Sequence, residues 1–169
     1  MNNFIKASAA LALMTITACT NNGIDDSNSV DLNAPINGST SGLLSDQASP
    51  AYFQQSIGDR VLFLVDQASL TDEARSILAA QAGWLASNPA YSAVIEGHAD
   101  EQGTREYNLA LGARRANAAR EYMISQGVAG DRLKVVSYGK ERPLEICSEE
   151  NCYAKNRRAV TVLSSDLTG

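Results

Sequence analysis

The chain is poor in the side chains that most often carry chemistry, with one histidine, three cysteines and a single tryptophan in 169 residues. One histidine cannot fill a metal set when no second cysteine pair stands beside it. His98-Ala99-Asp100 alone is neither a catalytic triad nor a ligand set. His98 therefore reads as a structural or rim residue, and no catalytic residue, metal or cofactor is expected. No apolar run approaches the ~20 residues that a membrane-spanning helix takes. Between Thr20 and Asp59 there is no lysine or arginine at all. A net charge of −5 leaves no general affinity for nucleic acid or anionic lipid. An anion would have to be met by a local site. No internal repeat is visible.

What is present starts with an export signal. Lys6 precedes a short apolar run, and small residues lead from it into Cys19, the order of a secretory signal peptide over residues 1–18. Ile16-Thr17-Ala18-Cys19 resembles the lipobox of bacterial lipoproteins. The resemblance implies cleavage before Cys19, a diacylglyceryl group on its sulfur and acylation of the new amino group; the alternative is an unmodified thiol. Several acyl chains, at about 0.8 kcal/mol per CH₂, hold a protein on a membrane without a spanning helix. Thr20 stands where the enteric sorting pattern has Asp for retention in the inner membrane. Outer-membrane lipid is thus the expected anchor, with the domain facing the periplasm.

From Cys19 to Asp59 the chain is rich in Asn, Ser, Asp and Gly and has no sustained period, which predicts a flexible, disordered tether. Roughly 40 residues extend to at most about 130 Å and average nearer 35 Å as a coil. The ordered domain is expected over residues 60–169. Val61–Val65 is a continuous apolar run, predicting a strand buried on both faces. Thr71 caps a helix with Asp72 and Glu73 in its first turn; Ala74, Ile77, Leu78, Trp84 and Leu85 follow at helical spacing, and Asn88-Pro89 ends it. "YSAVIEG" is a second strand, residues from about Thr104 to Ser125 form a long helix closed by Gly127, "RLKVVSYG" is a third strand and "RRAVTVL" a fourth. The order β-α-β-α-β-β predicts an α/β domain, an α+β sandwich of one mixed four-stranded sheet and two main helices, because crossover helices must cover parallel strands. Cys147 and Cys152, with four residues between them in a polar loop, read as a disulfide with a modest effect on stability.

The densest pattern is "GHADEQGTREYNLALGARRANAAR", residues 97–120. On a helical wheel Leu109, Gly112, Ala116, Ala119 and Met123 share a core stripe of mostly small residues. Asn108, Leu111 and Arg115 lie about a quarter turn away, stacking an amide, an apolar platform and a guanidinium fork in one line. Asp100 falls just past the end of the second strand, and Asp66 ends the first in the same manner. Ligands of open α/β sheets bind outside the carboxyl ends of strands. An acid and an arginine presented together suit a zwitterion. An internal Asp100–Arg115 salt bridge without any ligand fits the same spacing. Tyr107 reads as packing on the domain, and Arg157 and Arg158 as holding the loop rather than as rim charges.

Asn108-x-x-Leu111-Gly112-x-x-Arg115-Ala116 follows the helix signature of the OmpA-like peptidoglycan-binding domain, and the chain resembles that family from about Arg60 to Leu163. "VVSYGKERP" and "NRRAV" are similar to later parts of it. With the lipobox, the resemblance extends to the peptidoglycan-associated lipoproteins of the Tol-Pal system. It implies noncatalytic binding of peptidoglycan, with Asp100 and Arg115 holding the diaminopimelate terminus of the stem peptide and Asp66, Asn108 and Leu111 in support. It also implies TolB and other Tol proteins as partners, and a part in envelope integrity and in outer-membrane constriction during division. The family's usual Thr before the acid is Ala99 here, one hydroxyl fewer beside the ligand. A mainly protein-docking factor and a cell-wall amidase are the competing readings.

Overall fold

The computed structural model describes residues 46–165. The signal over residues 1–18, the lipidation residue Cys19 and most of the expected tether lie outside the described residues. The first helix among the described residues, α1 (Pro50–Tyr52), is capped by Ser49, whose Oγ accepts from the Tyr52 N–H at 3.1 Å, and continues as a π-helical turn over Phe53–Gly58. Pro50 sits in the first turn, where its missing N–H has no partner to lose. Phe53 is fully buried and its ring meets that of Trp84 at 4.9 Å. Trp84 in turn donates its Nε1–H to the Gln47 carbonyl at 2.7 Å. The packed body therefore reaches back beyond the expected boundary at Arg60, because one aromatic in "AYFQQSIG" fills the core.

Strand β1 (Arg60–Leu62) leads to helix α2 (Asp72–Ser87), strand β2 (Tyr91–His98), helix α3 (Arg105–Ser125), a 3₁₀ turn (Gly130–Arg132), strand β3 (Leu133–Gly139), helix α4 (Glu150–Asn156) and strand β4 (Arg158–Ser165). The sheet order is β1-β4-β2-β3. Only β2 and β3 pair parallel, joined by the α3 crossover; β4 enters antiparallel between β1 and β2. This is the mixed four-stranded sheet expected of the α/β order. The insertion of β4 leaves β1 at an edge, which corrects the expectation of a doubly buried strand. Val61 and Phe63 point into the core, whereas Leu62 is 48% and Leu64 54% exposed. An apolar run at a sheet edge looks like a central strand until its neighbours are known.

The α2 start follows from its cap, since Thr71 Oγ1 accepts from the Ala74 N–H at 3.1 Å with Asp72 and Glu73 in the first turn. Ala74, Leu78, Ala82 and Leu85 form its buried face. Helix α3 approaches the sheet through small residues. A Cβ on Gly97 of β2 would lie 1.8 Å from the Gly112 carbonyl oxygen, and one on Gly112 would lie 2.5 Å from Ser137 Oγ. The buried face of α3 is Asn108, Leu111, Gly112, Arg115, Ala116, Ala119 and Met123. Leu109, expected in the core stripe, is 49% exposed. The helix rests on the sheet through Gly112 and its polar neighbours, which turns Leu109 to the flank.

Helix α4 was not expected in the polar cysteine loop, because it lacks an apolar period. Acids stand at its start and Lys155 in its last turn, as the helix dipole favours. Buried Asn156 at its end latches the preceding loop: its Oδ1 accepts from the N–H groups of Leu144 at 2.7 Å and Glu145 at 3.1 Å. Cys147 and Cys152 are bonded, with Cα atoms 5.9 Å apart.

Phe53→Ala is expected to cost about 3–5 kcal/mol, the range for deleting a buried phenyl ring. A chain begun at Arg60 should melt well below one begun at Asp46. Urea denaturation of the variant, and thermal melts of the two chains, check both.

Candidate functional site

The turn after β2 is built to present Asp100. Ala99 N–H extends the ladder to the Gly139 carbonyl at 2.8 Å, and the Asp100 Oδ1 then accepts from the Gln102 N–H at 3.2 Å, a turn that aspartate closes on its own backbone. Gly103, at φ +92°, makes the bend into α3. There Thr104 caps the helix by accepting from the Tyr107 N–H at 3.2 Å, and Asn108 Nδ2 reaches back to donate to the Gln102 carbonyl at 2.8 Å. On the opposite side Asp66 is the one described non-glycine residue with positive φ, +58°. Such a backbone persists only where neighbours hold it. The Tyr107 hydroxyl donates to its carboxylate.

These elements enclose a cavity of about 240 Å³. Asp66, Asp100, Asn108 and Leu111 line it together with Tyr107, Gln102 and Gly103. Two carboxylates, two amides and an apolar floor suit a ligand with a cationic end. Arg115, the fifth residue singled out in the sequence, stands behind this lining and is fully buried. Its Nε donates to the Gln67 carbonyl at 2.8 Å, Nη1 to His98 at 2.9 Å and Nη2 to Leu64 at 3.1 Å. It thus grips the two backbone segments that carry Asp66 and Asp100. Burial lowers its pKa to about 10, although the charges of Asp100 and Asp66 act in the opposite direction. The cation persists at neutral pH and projects a positive field on the cavity.

The alternative of an internal Asp100–Arg115 salt bridge is not realised. Asp100 Oδ2 pairs instead with Arg157 Nη1 at 3.1 Å, with both side chains almost wholly buried. Arg157 also donates through Nη2 to Glu150 and through Nε to the Phe63 carbonyl at 3.2 Å. Burial alone would lower the Arg157 pKa, but its bonds to Glu150 and Asp100 raise it. The loop-holding role read for Arg157 is therefore present, and a direct bond to the site acid comes with it. Tyr107, read as packing on the domain, is half exposed at the cavity. Its pKa is raised chiefly by the bond to Asp66, and the Arg114 guanidinium lies over its ring at 5.8 Å.

His98 is buried behind the same strand end, and neither ring nitrogen has a hydrogen-bond partner among the described residues. Burial first, then the charges of Arg158 and Arg142, lowers its pKa to about 4, so the ring is neutral. Among the described residues no group of three metal-binding side chains is assembled, and no helix is long and apolar enough to cross a membrane. A second, larger cavity of about 450 Å³ lies between β1 and α2, lined by Leu62, Leu64, Ile77 and Leu144 among others. None of the residues singled out for binding lines it.

A family model described as "OmpA family" matches residues 62–157. The chain belongs to the OmpA family. Among OmpA-family relatives, it is 47% identical over 156 residues to a peptidoglycan-associated lipoprotein of Mesorhizobium japonicum, covering 92% of this chain and 89% of that one. It is 50% identical over 134 residues to that of Rhizobium meliloti, covering 78% and 76%. The crystal structure of the peptidoglycan-associated lipoprotein from Burkholderia pseudomallei superposes with a TM-score of 0.64 at 38% identity, over 72% of this chain and 98% of that one. The C-terminal domain of Helicobacter pylori MotB, at 20% identity and a TM-score of 0.60 over 64% and 86%, shares the fold alone.

In this OmpA-family chain the site and the core are not separable at Arg115. Arg115→Ala is expected to cost about 3 kcal/mol or more, since three carbonyls lose their donor. Asp100→Asn costs less, about 1–2 kcal/mol, because Arg157 keeps Glu150; chemical denaturation of the two variants ranks them. His98 sets a pH dependence of defined sign. The folded state binds its proton less tightly than the unfolded chain, whose pKa is near 6.5. Stability is therefore full above pH 6.5 and falls by roughly 1.4 kcal/mol per unit as pH drops from there towards about 4. Denaturation midpoints between pH 7 and 5 should show this fall in the wild type and lack that share of it in His98→Asn.

Proposed function

We propose that this chain is an outer-membrane lipoprotein, anchored through acylated Cys19, that binds peptidoglycan noncovalently at the diaminopimelate residue of the stem peptide. The convergence of Asp66, Asp100, Asn108 and Leu111 on one cavity carries the proposal. These residues come from two separate loops and a helix, and no packing need brings two carboxylates to one hollow. The side-chain terminus of diaminopimelate is a zwitterion. Its ammonium meets Asp100, with Asp66 as the nearby second charge. Its carboxylate is attracted by the charge of Arg115 behind the lining, three of whose five N–H groups are committed to carbonyls, with no acceptor for the other two among the described residues. Leu111 supplies the apolar floor for the methylenes between. The named relatives are peptidoglycan-associated lipoproteins, which supports peptidoglycan as the ligand.

Such binding requires no bond to be made or broken, and many weak contacts across a repeating wall add up to firm attachment. The chain then tethers the outer membrane to the wall as part of the Tol-Pal system, serving envelope integrity and constriction at division. One observation favours a protein partner as well: the apolar cavity beside β1, with Leu62 and Leu64 exposed on it. TolB is the partner that the family resemblance suggests.

Calorimetry of the purified protein with a diaminopimelate stem peptide tests the wall assignment, with a lysine-containing peptide lacking the second carboxylate as control. Asp100→Asn is expected to weaken binding about 10- to 100-fold, the loss of one charge-assisted hydrogen bond. Arg115→Lys, which keeps the cation, should narrow the preference for diaminopimelate over lysine. No peptide fragment should be released on long incubation. Equal binding by all variants would sink the assignment, and released fragments would favour an amidase.

A further inference from the structure

The cross-linked loop between β3 and β4 touches the site turn without lining the cavity. Ser148 Oγ donates to Glu101 Oε1 at 3.0 Å, and the Tyr153 hydroxyl donates to the same oxygen at 2.9 Å. Glu150 accepts from Arg157, whose other terminal nitrogen holds Asp100. Ser148 and Glu150 lie inside the ring closed by Cys147 and Cys152, and Tyr153 follows it directly. Glu101 and Asp100 are consecutive residues of the turn that presents the site. Two separate lines of contact thus run from one covalent ring to one turn.

Each contact alone is weak. Glu101, Glu150 and Ser148 are exposed, and water competes for them. A disulfide changes this balance by removing the freedom of the loop that carries the donors, so that less entropy is lost in holding them in place. The Arg157 guanidinium is the sensitive point, because it is shared between Asp100 and Glu150. If Glu150 moves off, Asp100 is the one carboxylate left to Arg157, which then competes with any cationic group that approaches it.

We propose that the Cys147–Cys152 loop is a positioning element of the Asp100 cavity. It holds Glu150 on Arg157, and Ser148 and Tyr153 on Glu101, so that Asp100 remains presented to a cationic ligand group. The proposal deepens the assignment of the cavity to the diaminopimelate ammonium and rests on it. It assigns positioning parts to Glu150, Arg157 and Tyr153 and leaves ligand contact to Asp100.

The experiment uses the full-length protein in detergent, a double variant Cys147→Ala/Cys152→Ala, and Glu150→Gln, which keeps the disulfide and alters only an exposed carboxylate. Affinity is measured for a stem peptide containing diaminopimelate and for the same peptide with the side-chain amine acetylated. Both variants are expected to bind the free amine roughly ten-fold more weakly, with the acetylated peptide unaffected and the melting temperature lowered by only a few degrees. A proportional loss of both peptides, or wild-type affinity for both, overturns the proposal. Amide hydrogen exchange over residues 100–104 without ligand separates it from the wall assignment. If the wild type does not distinguish the two peptides, the wall assignment fails. Faster exchange in the double variant still supports the positioning part, and unchanged exchange overturns it.

Discussion

The Arg115 guanidinium is a full positive charge taken out of water with no carboxylate at ion-pair distance among the described residues. An unpaired interior charge costs several kcal/mol. Three backbone carbonyls, from Leu64, Gln67 and His98, compensate for it, and the Phe63 ring lies 5.3 Å from its central carbon. Two of those carbonyls belong to the segment that bends through Asp66, and the third ends the strand before Asp100. The cation therefore ties α3, the exit of β1 and the end of β2 into one unit. The left-handed backbone at Asp66 is held in this way, between two carbonyls gripped from behind and a side chain gripped by Tyr107 from in front.

That arrangement needs α3 to lie close to the sheet, and the small residues allow it. Gly97 faces Gly112 with no room for a methyl group on either side. With the helix this near, the line Asn108, Leu111 and Arg115 falls at the strand ends rather than above them. The core stripe and the ligand line become parts of one buried face. Arg157 completes the design from the opposite side, arriving at the start of β4 to neutralise and orient Asp100. The cavity is thus framed by two buried arginines that hold acids and backbone in place, while Asp66, Asp100 and Asn108 remain turned inward.

Much of this could be read locally. Thr71 and Thr104 announce their helices, because a cap is a contact between residues three apart. The spacing of Asn108, Leu111 and Arg115 places them on one helix line for the same reason. The order of strands and helices is legible wherever the period is sustained. What the sequence hides is long-range. The edge position of β1 depends on β4, nearly a hundred residues later, coming between it and β2. The true partner of Asp100 lies 57 positions away, and nearer Arg115 looked the better candidate because it sat on the adjoining helix. Phe53 belongs to the core although its surroundings are polar, since one large ring suffices to anchor a short segment. Helix α4 depends on a cross-link and on the Asn156 latch rather than on an apolar stripe.

The central claim is that the cavity between Asp66 and Asp100 takes the ligand, and NMR mapping tests it most directly. Amide shifts of ¹⁵N-labelled protein would be followed while a diaminopimelate stem peptide is added. Saturable changes concentrated in residues 66–67, 100–104 and the first two turns of α3 are the expected result. Changes centred instead on Leu62, Leu64 and Ile77, in the apolar cavity beside β1, or no saturable change at all, would contradict the account.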